Sequence, residues 1–425
     1  MDSLLMERFS KRRLLITLYS CFFTLASYGQ FAVKAPVDLN FFIRQALVSS
    51  PLGKDYKNQL LMNKMDSLRL KAGYLPQVTA TSTGLYAPVV NGYGYDVALT
   101  NAHTLDALLN LSYNLIGKGA KDNRMQQLEL QRDSIRYAAK LSVLDLKKAI
   151  TDQYIAAYSS QQQLDFNRSI CDLLGKEDAL LKVLTRSNTY RQTEYLAFLV
   201  NLKQQQLQYK QAELQFKNDY AVLNYLSGIC DTNVVTLAEP LLATNTATVS
   251  DKIFVKRFEI DSLKTLNERD AVNFSYKPKT SLYVNGGYNS SFILQPYKNF
   301  GTSVGFTVSV PIYDGHQKKM QYDKLNLQLQ TGSAYHSYFA TQQKQQIDLL
   351  QQQIAATEGL YLQIKEQVKI TGDLIAIDRK LLHTGDIRIA DFIIAINNFM
   401  VAQNLFRQTD INRLKLINQL NYWNR

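Results

Sequence analysis

The sequence predicts a mainly α-helical chain with a smaller β contribution, built as two tandem repeats of a β-hairpin followed by a long α-helical hairpin. Three observations carry this expectation. Lys118 to about Thr185 and Gln317 to about His383 contain no proline and few glycines, so each can run as a single helix of roughly 70 residues, a rod of about 105 Å. Segments just ahead of each rod alternate apolar and polar residues with a strict period of two, the pattern of a strand with two unlike faces. Finally, the first half of the chain matches the second.

Composition narrows the classes further. With a mean hydropathy of −0.20 and 20% charged residues, the chain has no room for a bundle of transmembrane helices, which needs several apolar runs of about 20 residues each. Its 46% apolar content is equally incompatible with disorder. The formal charge of +12 comes from Lys and Arg scattered along the chain rather than stacked into a stripe, so solvated helix faces are expected and no nucleic-acid partner.

Arg8, Lys11, Arg12 and Arg13 precede an apolar run from Leu14 to Ala26, followed by Ser27-Tyr28-Gly29-Gln30. This reads as a secretory signal peptide over 1–29. Cleavage after Gly29 is favoured over cleavage after Ala26, and Tyr19 together with Phe22-Phe23 argues against Cys21 as a lipid-anchoring cysteine. Removal of 1–29 lowers the formal charge to about +10. Cys171 and Cys230 then remain, with no CxxC motif, and a helical hairpin turning near Asn188 would set them too far apart along its axis to bond.

The internal match is residue by residue. Tyr74-Leu-Pro76 lies over Tyr276-Lys-Pro278 at a shift of about 202, whereas Glu194-Tyr-Leu196 lies over Asp391-Phe-Ile393 at a shift of about 197. The change of shift between Tyr86 and Leu111 places a loop longer by about five residues in the first copy. The copies are expected at 30–228 and 254–425, joined by a connector at 229–253 rich in Thr, Asn and Ala.

Each copy opens with a helix, Asp55 to Gly73 or Phe254 to Phe274, ended by Pro76 or Pro278. Strands are expected at about 75–88 and 105–116, then at about 279–290 and 302–313. In the last of these, Val304, Phe306, Val308, Val310 and Ile312 alternate with small or polar residues, and Pro311 and Gly315 mark its exit. Such strands suit either a membrane barrel or a half-buried sheet. Four strands cannot close a barrel, so the membrane reading requires several chains. The helical hairpins are expected at 118–228 and 316–424. Their tips fall at Asn188 and Gly385, two residue types that tolerate the left-handed conformation of a helix C-terminus.

In this order, duplicated and behind a signal peptide, Tyr74-Leu-Pro76, Val308-Ser-Val-Pro-Ile-Tyr-Asp-Gly315, Gly385 with Asp391-Phe-Ile393, and Leu416-Ile-Asn-Gln-Leu-Asn421 make the sequence resemble the TolC family of outer membrane efflux proteins over essentially the whole mature chain. The resemblance implies a homotrimer with a 12-stranded barrel in outer-membrane lipid and a 12-helix periplasmic tunnel. It also implies a passive export duct that works with a periplasmic adaptor and an inner-membrane pump of the resistance-nodulation-division or ABC type. It places the adaptor-docking tips at Asn188 and Gly385 and acidic gate positions at Glu194 and Asp391. The sequence departs from the family pattern at Ile394, where a second aspartate is usual, at Ile387, where a basic partner for Glu194 is usual, and at Asn188, where glycine is usual.

Spacing adds its own expectation. Asp391, Ile394 and Asn398 are separated by three and four residues, so they share one helix face. An enzyme is not expected. His103, His316, His336 and His383 are scattered, read as surface or loop residues, and accompany no HExxH, GxSxG or phosphate loop. No cofactor or metal is expected. The competing reading, a periplasmic coiled-coil adaptor or scaffold, would also show a long helical hairpin, but one inserted into compact β domains.

Overall fold

The computed structural model describes residues 36–231, 233–244, 253–291 and 296–424; the expected signal peptide and part of the connector lie outside them. α1 (Leu39–Ser49) and α2 (Pro51–Ala72) precede β1 (Gln77–Tyr86), a short α3 (Val97–Thr100) and β2 (His103–Leu115). α4 (Lys118–Arg186) and α5 (Gln192–Ser227) form the first helical hairpin. The second copy runs through α6 (Lys256–Ser275), β3 (Lys279–Ser290), β4 (Phe300–Ser309), α7 (Gln317–Thr384) and α8 (Ile389–Trp423).

The rods are unbroken. α4 has 69 residues and α7 has 68, each about 100 Å long. α5 and α8 have 36 and 35 residues and cover only the half of their rod nearer the tip. Along the other half of α4, α2 and α6 pack instead, and α6 also packs on α7. The Asn123 amide, which donates to the Asn267 carbonyl at 2.9 Å and to its Oδ1 at 2.8 Å, fixes α6 against α4, and the Asn63 amide donates to the Leu128 carbonyl across α2 and α4.

Where the helices change partner, the chain before α1 and the connector form a collar. Val37 and Leu237 make a parallel bridge, over which the buried Tyr154 hydroxyl donates to the carbonyls of Val37 and Ala238. Gln161 both donates to and accepts from the Leu237 backbone. Phe42, Ala46, Tyr154, Phe216, Tyr220 and Leu223 fill the apolar cluster beneath it. A second apolar cluster, with Leu174, Leu181, Phe198, Leu382, Phe392 and Ile396, lies near the tips. Cys171 and Cys230 are free thiols.

The four strands form one antiparallel sheet in the order β1-β2-β3-β4, so the two hairpins join through β2 and β3. The longer loop of the first copy carries α3, whose C-cap Asn101 is left-handed at φ 49°. β4 ends at Ser309, not near residue 313. Its last partner is Lys279, the first residue of β3 after Pro278, and Pro311 has no N–H to continue a ladder. α1 is a further difference, absent from the expected elements because it is short and follows closely on the expected signal peptide.

Candidate functional site: the two-faced sheet and the hairpin tips

Residues paired across antiparallel strands share a face, so the register sorts the side chains. One face carries Leu105, Leu109, Leu111 and Leu115 of β2, Leu282 and Val284 of β3, and Val304, Phe306 and Val308 of β4. The other carries Thr79, Thr81 and Thr83 of β1, Asp106, Asn110 and Ser112 of β2, and Asn285, Ser303 and Thr307 of β3 and β4. Polar residues on that second face bond one another: the Asn110 amide donates to Thr81 Oγ1 at 2.8 Å, and the Ser303 hydroxyl donates to Asn285 Oδ1. No described element packs on the apolar face: Val304, Phe306 and Val308 are 79%, 71% and 53% exposed.

The residues flanking the strands have structural roles. Pro76 and Pro278 immediately precede β1 and β3. Gly315 and His316 are both left-handed, at φ 64° and 66°, and turn the chain from strand to rod. Asp314 accepts from the Lys318 N–H at 2.7 Å. The Tyr276 hydroxyl and that N–H hold the Asp314 carboxyl below its usual range, so the start and the exit of this hairpin are clasped together. At the matching place in the first copy stands Gly117, which has no acceptor side chain, and the Tyr74 hydroxyl is buried without a partner.

At the far end, both tips use one backbone geometry. Asn188 (φ 62°) and Gly385 (φ 82°) are left-handed, and behind each the next N–H reaches the carbonyl five residues back, Thr189 to Leu184 and Asp386 to Leu381, both at 2.9 Å. A Cβ on Gly385 would lie 2.8 Å from Thr189 Cγ2, so the two turns sit side by side. The buried Tyr190 binds them together, its hydroxyl donating to the carbonyls of Leu382 and Ile387 at 3.0 and 2.9 Å.

Above the turns, Glu177 of α4 is 1% exposed and accepts from Arg379 Nε at 2.6 Å, and its other oxygen lies 2.9 Å from His383 Nε2. Sequence reading missed this contact, because its partners are 202 and 206 residues apart; His383 is a surface residue, as expected, and reaches the buried carboxylate from the last turn of α7. Asp391 is held by Arg388 through two bonds of 2.9 Å. Hydrogen bonding and charge from Asp391, with a smaller pull from Glu194, raise the Arg388 pKa. Arg388, one residue after Ile387, is thus the basic partner of Asp391, and Ile387 packs into the apolar cluster. The i,i+3 spacing of Arg388 and Asp391 was a legible signal. Ile394 is 56% exposed, Asn398 is exposed, and both lie on the face of α8 that Asp391 begins. Among the described residues no group of three or more His, Cys, Asp and Glu could hold a metal ion.

Solved structures share this arrangement. The outer membrane channel CmeC of Campylobacter jejuni matches with a TM-score of 0.71 at 13% identity, over 91% of this chain and 85% of that one. The chain has the fold of the outer membrane channels. VceC of Vibrio cholerae matches at 0.72 and 12% identity, covering 91% of this chain and 96% of its own. The open state of the MtrE outer membrane channel of Neisseria gonorrhoeae matches at 0.73 and 12%, covering 91% and 88%. No family model matches the sequence, and no curated protein matches it significantly.

Proposed function

We propose that the protein is a passive export duct of the outer membrane. The observation that carries the reading is the four-stranded sheet with a polar, internally bonded face and an apolar face that none of the described elements covers. In water that face would be a severe liability; against lipid, with water on the other side, it is the wall of a barrel. A compact periplasmic adaptor has no use for it.

β1 and β4 leave open edges, which hydrocarbon does not tolerate, so several chains contribute to one barrel, and three supply twelve strands. The helical rods continue the wall as a periplasmic tunnel, and the tips form its closed end. There Asp391, Ile394 and Asn398, with Glu194 beside Arg388, line the gate, so that three copies present a carboxylate ring beside an isoleucine ring. Carboxylate rings favour cations, and apolar constrictions close a pore by dewetting. The turns at Asn188 and Gly385 offer the surface on which an adaptor, coupled to an inner-membrane pump, acts.

The chain carries no machinery for chemistry in this reading; it guides, and energy comes from partners. Reconstitution of the processed protein in planar bilayers tests it. Discrete, cation-preferring conductance steps are expected, and a protein that inserts without conducting contradicts it.

A further inference from the structure

Where the strands give way to the helices, the exposed apolar surface of the sheet runs past the last rung of the ladder. Beyond β4 it continues through Val310 and Ile312, 51% and 95% exposed, and in the first copy it ends at the exposed Leu115. Lysines begin there. Lys71 stands in the last turn of α2, Lys118 and Lys121 open α4, Lys277 lies between α6 and β3, and Lys318 and Lys319 open α7. All are exposed except Lys318, which is half-buried. Over 71–76, 116–121, 274–278 and 310–319 these six meet a single acid, Asp314, whose carboxylate is already engaged by the Tyr276 hydroxyl and the Lys318 N–H.

Aromatic rings, not carboxylates, hold the ammonium groups. Lys121 Nζ lies 5.2 Å from the centre of the Tyr74 ring, Lys277 Nζ 4.6 Å from that of Phe274, and Lys318 Nζ 5.3 Å from that of Tyr276. A ring face attracts a cation without cancelling its charge. None of the six has an ion-pair partner among the described residues. The excess of positive charge is also narrow. One turn further into the helices, Asp122, Asp270 and Asp323 stand against Arg69 and Arg124. At the opposite end of the sheet, the described loops 87–102 and 296–299 carry one acid, Asp96, and one base, Lys298.

We propose that these lysines form a belt that binds the anionic headgroups of phospholipids in the periplasmic leaflet of the outer membrane. The proposal rests on the reading of the sheet as a lipid-facing wall and names the lipid that lies at its helical rim. Three features favour a headgroup over an acidic protein. The lysines border a surface that lipid tails cover in that reading. From Lys118 to Lys121 the helix rises about 5 Å, which matches the depth of one headgroup layer, about 5–8 Å. Aromatic rings beside long lysine stems suit a boundary with one apolar and one wet side.

The test places the full processed chain in phosphatidylcholine vesicles with a trace of spin-labelled phosphatidylglycerol or spin-labelled phosphatidylcholine, and measures the label that the protein immobilises. At low ionic strength phosphatidylglycerol should associate about three-fold more strongly than phosphatidylcholine, or better, and molar salt should bring the ratio to about one. Lys→Gln at all six positions should do the same, with immobilised phosphatidylcholine unchanged as the sign that the variant has folded; the salt arm needs no variant. Asp96→Asn with Lys298→Gln, at the other rim, should leave the preference intact. Immobilised lipid without preference would overturn the belt, assign the lysines to an acidic protein and leave the lipid-facing sheet standing. A preference that survives the six substitutions would place the binding elsewhere and overturn it too. If neither probe is immobilised, the sheet does not meet lipid and both readings fall.

Discussion

Glu177 and Arg379, 202 residues apart in sequence, meet at 2.6 Å in an ion pair that joins the two hairpins and whose carboxylate is fully buried. With His383 on its second oxygen, the carboxylate fastens α7 to α4 just above the turns. Loss of Arg379 leaves a buried carboxylate with His383 as its one remaining charged-group contact, whereas neutralising the carboxylate leaves no buried charge. Arg379→Ala should therefore cost about 2–3 kcal/mol, less than a fully buried pair because the arginine is half exposed, and Glu177→Gln less than about 1 kcal/mol. Urea unfolding in detergent micelles checks this; equal costs would mean that the carboxylate is solvated in the assembled protein.

Tyr190 makes the second fastening. Tyr190→Phe keeps the ring in the tip cluster but leaves the Leu382 and Ile387 carbonyls without their donor, at a cost of about 1–2 kcal/mol. Limited proteolysis of the assembled protein should cut the turns around Asn188 and Gly385 several-fold faster than in the parent.

Asp378 supplies a pH dependence. Burial, with the negative charge of Asp391 adding to it, raises its carboxyl pKa. The folded state thus binds the proton more tightly than the unfolded chain. The resulting stability is complete below the ordinary aspartate range and is lost as pH rises through the raised folded value. Asp378→Asn should raise the midpoint of thermal unfolding at pH 7 and have little effect below about pH 4. A gain that persists at low pH would contradict the assignment.

The gate face has its own signature in planar bilayers. Asp391→Asn removes a charge held by Arg388 and should lower cation preference by about two-fold or more. Ile394→Ser should raise the conductance of the closed state. Unchanged selectivity in the first and unchanged conductance in the second would mean that this face of α8 looks away from the tunnel.

Much of the architecture was legible in the sequence because it rests on local periodicity: proline-free rods, two-residue alternation, and Asn188 aligned with Gly385 by the internal repeat. The boundary of β4 was not, since strand length depends on where the partner strand begins, at Lys279. Nor were the Glu177 and Tyr190 contacts, which form only when two hairpins nearly 200 residues apart come together. Arg388 is legible from its i,i+3 spacing to Asp391, although it stands one residue beyond Ile387, the position where the family pattern has a basic residue.

Separation of lipid from a water-filled lumen by the sheet can be read from spin labels placed singly at each position from Thr302 to Ser309 in membrane-reconstituted protein. Collision with oxygen, which concentrates in lipid, should peak at positions 302, 304, 306 and 308, and collision with a water-soluble nickel chelate should peak at 303, 305, 307 and 309. The two profiles should run out of phase with a period of two. Profiles that rise and fall together, or an apolar face without an oxygen maximum, would contradict the account.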